Sequence, residues 1–506
     1  MTDLTTRSAA HAHGGGSRMA AAPGIEAHDV KPVNAKAERG LYASRQKIYA
    51  KRARGRYRSV KWLLMAVTLG VYYVLPWLKW HRGASLPDQA VLLDFPNRRF
   101  FFFFLEIWPQ EFYFVTGLLV LAALALFLVT AIAGRVWCGY FCPQTVWTDM
   151  MIAAERFWQG DRNARMLLDK QRWGPAKLYK KSMTHLTFLL ISLLTGGAFV
   201  LYFDEAPRLT RQLLTGEAPA IAYLFIGIFT ITTYLLGGIA REQVCTYMCP
   251  WPRIQGALLD ADSYLVTYKP HRGEPRGHLR KAASPERRGD CIDCKACVVV
   301  CPMGIDIRNG PQLECIQCAL CVDACNDIMA KIGRPPGLID YDTFHNLEAA
   351  EHKQKQPRIR IVRPRTVLYA ALFCVVGLVM LWGVSRRTTL ELNVLPDRNP
   401  LFVQLSDGGF RNGYTVKILN KRYDTRHFSI GVAGLDGASI KIVGMESDAN
   451  PVIPVAADTL RELRVFVSVP KRAADQIAAG STPIVFQISD RQDATRTSRD
   501  SQFRKP

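Results

Sequence analysis

The chain has 506 residues, is 49% hydrophobic, and sets 65 Lys and Arg against 43 Asp and Glu for a formal net charge of +22. That length allows two or three domains, and the apolar residues are gathered in blocks, which excludes a single soluble globule. The basic excess fits the cytoplasmic loops of a membrane protein, so no nucleic acid is expected as a partner.

Residues 1–44 read as a disordered cytoplasmic tail. Residues 1–40 lack the apolar core of a cleavable signal peptide, and His11 and His13, ahead of three glycines, read as tail rather than as a metal site. Five later stretches approach the ~20 residues that cross a bilayer as a helix: 62–80, 112–133, 183–202, 220–239 and 367–384. The apolar run 100–105 is too short to span and is expected at the interface or against the bundle. Segment 45–61 holds eight Lys and Arg and no acid, and 134–182 holds nine basic residues against four acidic ones. Both belong inside. Segments 81–111 and 203–219 carry slightly more acid than base, which suits the outside. Lys353, Lys355, Arg358, Arg360, Arg363 and Arg365 place the start of the last span inside. The expected topology in a bacterial inner membrane is N-terminus in and C-terminus out, with 241–366 cytoplasmic and everything after 385 periplasmic.

Thirteen cysteines, nearly all in tight groups and none beyond Cys374, argue for metal ligation in a reducing compartment over a disulfide framework. Cys138-Gly-Tyr-Phe-Cys142-Pro143 follows the second span and Cys245-Thr-Tyr-Met-Cys249-Pro250 the fourth. Each pair has an aromatic residue two positions after its first cysteine, a proline after its second and an arginine just upstream (Arg135, Arg241), as in an internal repeat. Cysteines four apart share a helix face at about 6 Å, close enough to share an ion, and the proline marks a turn. Four soft thiolates with Met248 beside them suit Cu(I); inert packed cysteines and reversible disulfide chemistry are the other readings.

The run Cys291-x2-Cys294-x2-Cys297-x3-Cys301-Pro302 has the two-cluster bacterial ferredoxin spacing. A second copy follows at Cys315, Cys318, Cys321 and Cys325, with Asn326 in the proline position. The two-residue gaps let a tight turn present three thiolates to one cubane, while the fourth cysteine reaches the other cluster. Cys291, Cys294, Cys297 and Cys325 are therefore assigned to one 4Fe–4S cluster, and Cys315, Cys318, Cys321 and Cys301 to the second. Zinc is the competing reading of paired CxxC motifs. Met303 is expected to pack around a cluster, and Cys374, alone in the fifth span, to be a small apolar residue. The last ~120 residues hold short β-like runs at 415–420, 428–432, 439–443, 463–469 and 484–489, separated by turns, as in an all-β sandwich.

The order of these features resembles the cytochrome c oxidase accessory protein family, often called CcoG, FixG or RdxA. The segments Tyr268-Lys-Pro-His-Arg-Gly-Glu-Pro-Arg-Gly277 and Asn393-Val-Leu-Pro-Asp-Arg-Asn-Pro400 resemble it too, and the likeness runs from about residue 40 to the end. It implies an immunoglobulin-like C-terminal domain and a role in assembling cbb3-type cytochrome c oxidase by reducing Cu(II) to Cu(I). It carries the copper-handling, catalytic role onto Cys138, Cys142, Cys245 and Cys249. The expected architecture is a multi-domain membrane protein. A membrane domain (45–267) holds four transmembrane helices of an α-helical five-span bundle, and a dicluster ferredoxin-like insert (268–345) follows. A linker with the fifth helix (346–385) leads to the all-β domain (386–506). Expected partners are the lipid bilayer, copper ions, a cytoplasmic flavodoxin or ferredoxin as donor, steered by the basic stretch 269–288, and a copper chaperone or oxidase assembly factors. A homodimer is left open. The rival readings are a quinol dehydrogenase relay, for which His185 is the one intramembrane candidate, and a non-enzymatic copper chaperone or scaffold.

Overall fold

The computed structural model describes residues 20–22, 25–34, 46–82, 86–278, 288–355, 360–445, 451–477, 479–493 and 495–506. His11 and His13, Arg358 and part of the basic stretch 269–288 lie outside them. Two compact units divide the chain: residues 1–78 with 89–378, and residues 79–88 with 379–506.

The first unit contains the apolar helices Arg56–Trp77, Tyr113–Ala133, Pro175–Val200 and Ala220–Ala240, and most of the fifth, Pro364–Ser385. All five are long and apolar enough to span. The first begins six residues before the apolar run, because its first turn is capped from elsewhere in the unit. Backbone amides of Tyr57 and Arg58 donate to the Asp323 carboxylate at 3.1 and 2.7 Å, satisfying donors that a helix start leaves unpaired. The third begins at Pro175, eight residues early, and draws Lys177, Lys180 and Lys181 into its first turns. The phenylalanine run near 100 forms strand Arg99–Phe102 between Val91–Asp94 and Leu105–Ile107, a small antiparallel sheet.

The fourth spanning helix ends differently from the second. Its last turns, Tyr234–Ala240, are π-helical, and a second π-helical turn, Val244–Met248, carries Cys245. Such turns are rare and gather at functional sites. After the short helix Trp251–Leu258 the chain enters the insert through strand Leu265–Tyr268, which pairs antiparallel with Ile339–Asp342 and so begins three residues before the expected boundary.

Part of the stretch expected as a disordered tail packs instead on the insert. The His28 amide donates to the Cys294 carbonyl at 3.2 Å, and Asn34 donates through its amide to Gly304 and through Nδ2 to Met303. Ile25 is buried against Ile292, with Ala27 and Cys294 beside it. Its apolar residues are scattered and show no helix or strand period, which hid it from the sequence reading, but Ile25, Val30 and Val33 against the insert, with the bonds of His28 and Asn34, fix it in place.

The second unit holds a two-sheet sandwich. One sheet runs Ser439–Ile442, Thr459–Val469, Phe410–Asn420, Leu390–Pro396, with Val403–Gln404 also on Phe410–Asn420; the other runs Ile453–Val455, Arg426–Ala433, Gly480–Asp490, Arg496–Lys505. Strand Phe410–Asn420 alternates buried and half-buried residues, and its Val416 sits opposite Leu463 and Val394. Its inward side chains meet those of the second sheet: Tyr414, Val416, Ile418, Val465, Val467, Phe428, Phe486, Ile488 and Phe503 form one core. Face-to-face aligned sheets with such alternation are the immunoglobulin-like arrangement.

Candidate functional site

The two ferredoxin runs fold as copies of each other. In each, the residue two after the first cysteine (Asp293, Gln317) and the residue four after it (Lys295, Ala319) have φ between 52 and 56°. Each loop then enters a helix, Ala296–Val299 or Leu320–Lys331, carrying the third cysteine. Two left-handed residues per loop curl the backbone so that the cysteines converge.

They converge on two cavities. One is lined by Cys291, Cys294, Cys297 and Cys325; the other by Cys301, Cys315, Cys318 and Cys321, with Cys297 at its border. The fourth cysteine of each run thus lines the cavity of the other run. The two cavities are closely similar in size, as two identical guests require. None of the thirteen cysteines forms a disulfide. Each ring is four thiols with no His among them, and each run lends its last cysteine to the other's ring, which is the donor set of a 4Fe–4S cubane in a two-cluster ferredoxin. Burial pushes Cys315 up to about 11 and Cys301 and Cys325 up to about 12. A cationic iron core is the partner that would hold such thiols as thiolates. Met303 lines the second cavity.

The membrane-edge pairs meet this second cavity. Cys138, Cys318, Ile316, Val300, Met303 and Leu320 are buried in one apolar cluster, with Cys245, Cys301 and Cys315 packed against it. Tyr140 Oη donates to the Cys318 carbonyl at 3.3 Å. The Arg135 amide donates to Gln317 Oε1 at 2.8 Å, its guanidinium bonds the Leu313 carbonyl, and Nε reaches Gln255 Oε1 at 3.2 Å. The same Gln255 oxygen accepts the Cys138 thiol at 3.2 Å. Burial pushes Cys138 up to about 11 against the pull of Arg135, with Cys142 and Cys249 adding to the rise. Burial likewise pushes Cys245 up to about 12, with Cys142, Cys138 and Cys249 adding. The four thiols are therefore neighbours, although they do not close on one ion. Cys249 and Met248 are exposed.

The repeat is real but offset from the expected match of Arg135 with Arg241. Gly134 (φ 59, ψ −127) and Arg241 (φ 47, ψ −113) share one backbone conformation, each closing a spanning helix and each four residues before a first cysteine. Arg241 holds a glycine's conformation because its guanidinium is clamped, at 2.7 Å to Glu155 Oε1 and through Nε at 2.7 Å to the Gly238 carbonyl. The second cysteine of each pair lies just past its helical turn, with ψ near 125° before the proline, so it leaves the helix face that simple periodicity gave it. Sequence reasoning missed Gln255, Gln317, Asp323 and Glu155. Cys374 is exposed on the fifth span, and His185, on the third, bonds Tyr234 through Nδ1 at 2.8 Å.

A bundle of apolar helices joined to a two-cluster cysteine insert defines a membrane-bound iron–sulfur electron-transfer protein. Family profiles agree: a 4Fe-4S dicluster domain matches residues 240–344, a 4Fe-4S binding domain 115–159, and an IG-like fold at the C-terminus of FixG 380–506. The nitrogen fixation protein FixG of Rhizobium meliloti is 51% identical over 88% of this chain and 90% of its own. RdxB and RdxA of Cereibacter sphaeroides are 48 and 47% identical, over 92 and 89% of this chain and 97 and 95% of theirs. The chain belongs to the FixG and RdxA family.

Proposed function

We propose that this protein passes single electrons from its clusters to Cu(II) at the membrane-edge cysteines, delivering Cu(I) for assembly of cbb3-type cytochrome c oxidase. The observation that carries this reading is the packing of Cys138 and Cys245 into the apolar cluster that holds Cys318, Cys301 and Cys315. When bound, the clusters supply one-electron transfer at low potential. The chain's own residues do the rest. Arg135 and Gln255 fix the Cys138 turn against the Gln317 loop, Tyr140 ties it to the Cys318 backbone, and exposed Cys249 and Met248 meet the incoming ion. One electron converts one Cu(II) to Cu(I), which soft thiolates hold better than the substrate. In this reading the insert faces the cytoplasm, where a flavodoxin or ferredoxin supplies electrons, and the β domain faces the periplasm.

The test is anaerobic turnover. Holoprotein reduced by a chemical donor and given Cu(II) should produce Cu(I), read with a chromogenic chelator, and Cys245→Ser with Cys249→Ser should abolish it while iron content stays constant. Wild-type rates in both variants would remove these cysteines from the copper site. A second reading has its own support: residues 115–159 match a 4Fe-4S binding profile, although they contain only Cys138 and Cys142. A third iron–sulfur centre on the four membrane-edge thiols would show as iron in excess of what two cubanes hold.

A further inference from the structure

We infer that the first unit binds the headgroup of an anionic phospholipid in an arginine-lined cavity beside the first spanning helix. The cavity, about 530 Å³, lies between residues 52–62 and the helix Pro143–Gln159 and is lined by Arg52, Arg54, Arg58, Arg156, Trp62 and Phe157, with Asp161 at its edge. Four guanidinium groups line it with one carboxylate, Asp161, and Asp149 is not part of the lining. Asp149 is taken by Arg58 at 2.7 Å and by Lys61 at 3.5 Å. Asp161 accepts the Arg52 backbone amide at 3.1 Å. Arg156 spends Nη2 on the Ala50 and Lys51 carbonyls, and its buried Nε has no hydrogen-bond partner; Asp161 stands 3.8 Å away. Among the described residues no acid pairs with the Arg52 or Arg54 side chains, and both residues are exposed. The cavity therefore holds a surplus of positive charge with donors left over, the setting in which arginine grips a phosphate.

The apolar side of the cavity decides which phosphate. Trp62 is 42% exposed, stacked under Arg58 at 4.5 Å, and Phe157 is 79% exposed. Below Trp62 on the same helix, Leu63 and Val67 are exposed along the spanning segment. A diester phosphate under Arg52, Arg54 and Arg156 would lay its acyl chains along these residues, whereas a soluble anion would leave them uncovered. Basic pockets beside spanning helices recognise anionic headgroups in this way, and tryptophan belongs at the headgroup level. Gly55, which also lines the cavity, packs against Asp323 of the insert, so the lipid sits at the joint between insert and bundle.

The experiment is native mass spectrometry of anaerobically purified, delipidated holoprotein. It would be titrated with phosphatidylglycerol, with phosphatidylcholine of the same chains, and with inorganic phosphate. One phosphatidylglycerol should survive activation that strips phosphatidylcholine, and excess phosphate should not displace it. Arg52→Ala with Arg54→Ala should lower the retained fraction about tenfold or more, and Asp161→Asn should raise it. Equal retention of the two lipids, displacement by phosphate, or unchanged retention in the double variant would overturn the proposal. If the double variant loses its iron, the wild-type lipid preference and the Asp161→Asn shift decide.

Discussion

A β-carbon on Gly139 would stand 2.7 Å from the Ile316 carbonyl oxygen and 3.2 Å from the Cys318 backbone. Both neighbours are main chain and cannot swing aside, so the missing side chain is what lets the Cys138 turn touch the second-cluster loop. Gly139→Ala must force the two apart. It should cost about 1–3 kcal/mol of stability and slow the copper-driven reoxidation of the clusters in stopped-flow bleaching, with iron content unchanged. Wild-type kinetics would show that electrons do not pass this contact. Glu155 does its work by charge. Burial alone would raise its carboxyl, but Arg241 first, then Lys47 and Arg165, bring it from its ordinary 4.5 down to about 2. Its folded value lies below its unfolded value, so its stabilisation is present above about pH 4.5 and disappears as the pH falls toward 2. Glu155→Gln leaves the Arg241 and Arg165 guanidiniums, 2.7 and 2.9 Å away, without their counter-charge. The expected loss at neutral pH is about 3–5 kcal/mol, read as a lower thermal midpoint of the holoprotein, and the variant should lose less than wild type across that acid window. An unchanged midpoint would assign the charge balance elsewhere.

The paired ferredoxin loops exchange their last cysteines, and this exchange separates sequence order from cluster membership. Cys325→Ser should therefore alter the EPR signal and iron occupancy of the cluster held by Cys291, Cys294 and Cys297 and spare the one beside Cys138. Loss confined to the cluster of Cys315, Cys318 and Cys321 would reverse the assignment. These loops, the five spans and the strands near 415–420, 463–469 and 484–489 were legible in the sequence because each is written in local spacing: cysteines at fixed intervals, unbroken apolar runs, alternation of period two. Strand Arg496–Lys505 was not, since it is an edge strand with Phe503 as its one buried residue and polar side chains elsewhere. Nor were Gln255, Gln317 and Asp323. Each acts on a partner more than a hundred residues away in the chain, and neither composition nor period records such a meeting. The offset of the membrane-edge repeat was hidden for a similar reason: arginine stood where the backbone conformation alone asks for glycine.

At the scale of the whole molecule, the chain is two units with separate resources. The core of the second is drawn from strands between Leu390 and Phe503, and that stretch contains no cysteine. Residues 386–506 expressed alone should unfold cooperatively in urea as a monomeric β domain without iron. A non-cooperative transition would mean that this core depends on the rest of the chain. The first unit is the opposite case, because its parts are held by one another's side chains. Asp323 stands between Cys321 and Cys325, on the helix those two cysteines anchor, and its carboxylate closes the first turn of the first spanning helix. Biogenesis inherits an order from this. The membrane helix has the hydrophobicity to insert by itself, but the donors of its opening turn find their carboxylate only when the insert folds against it.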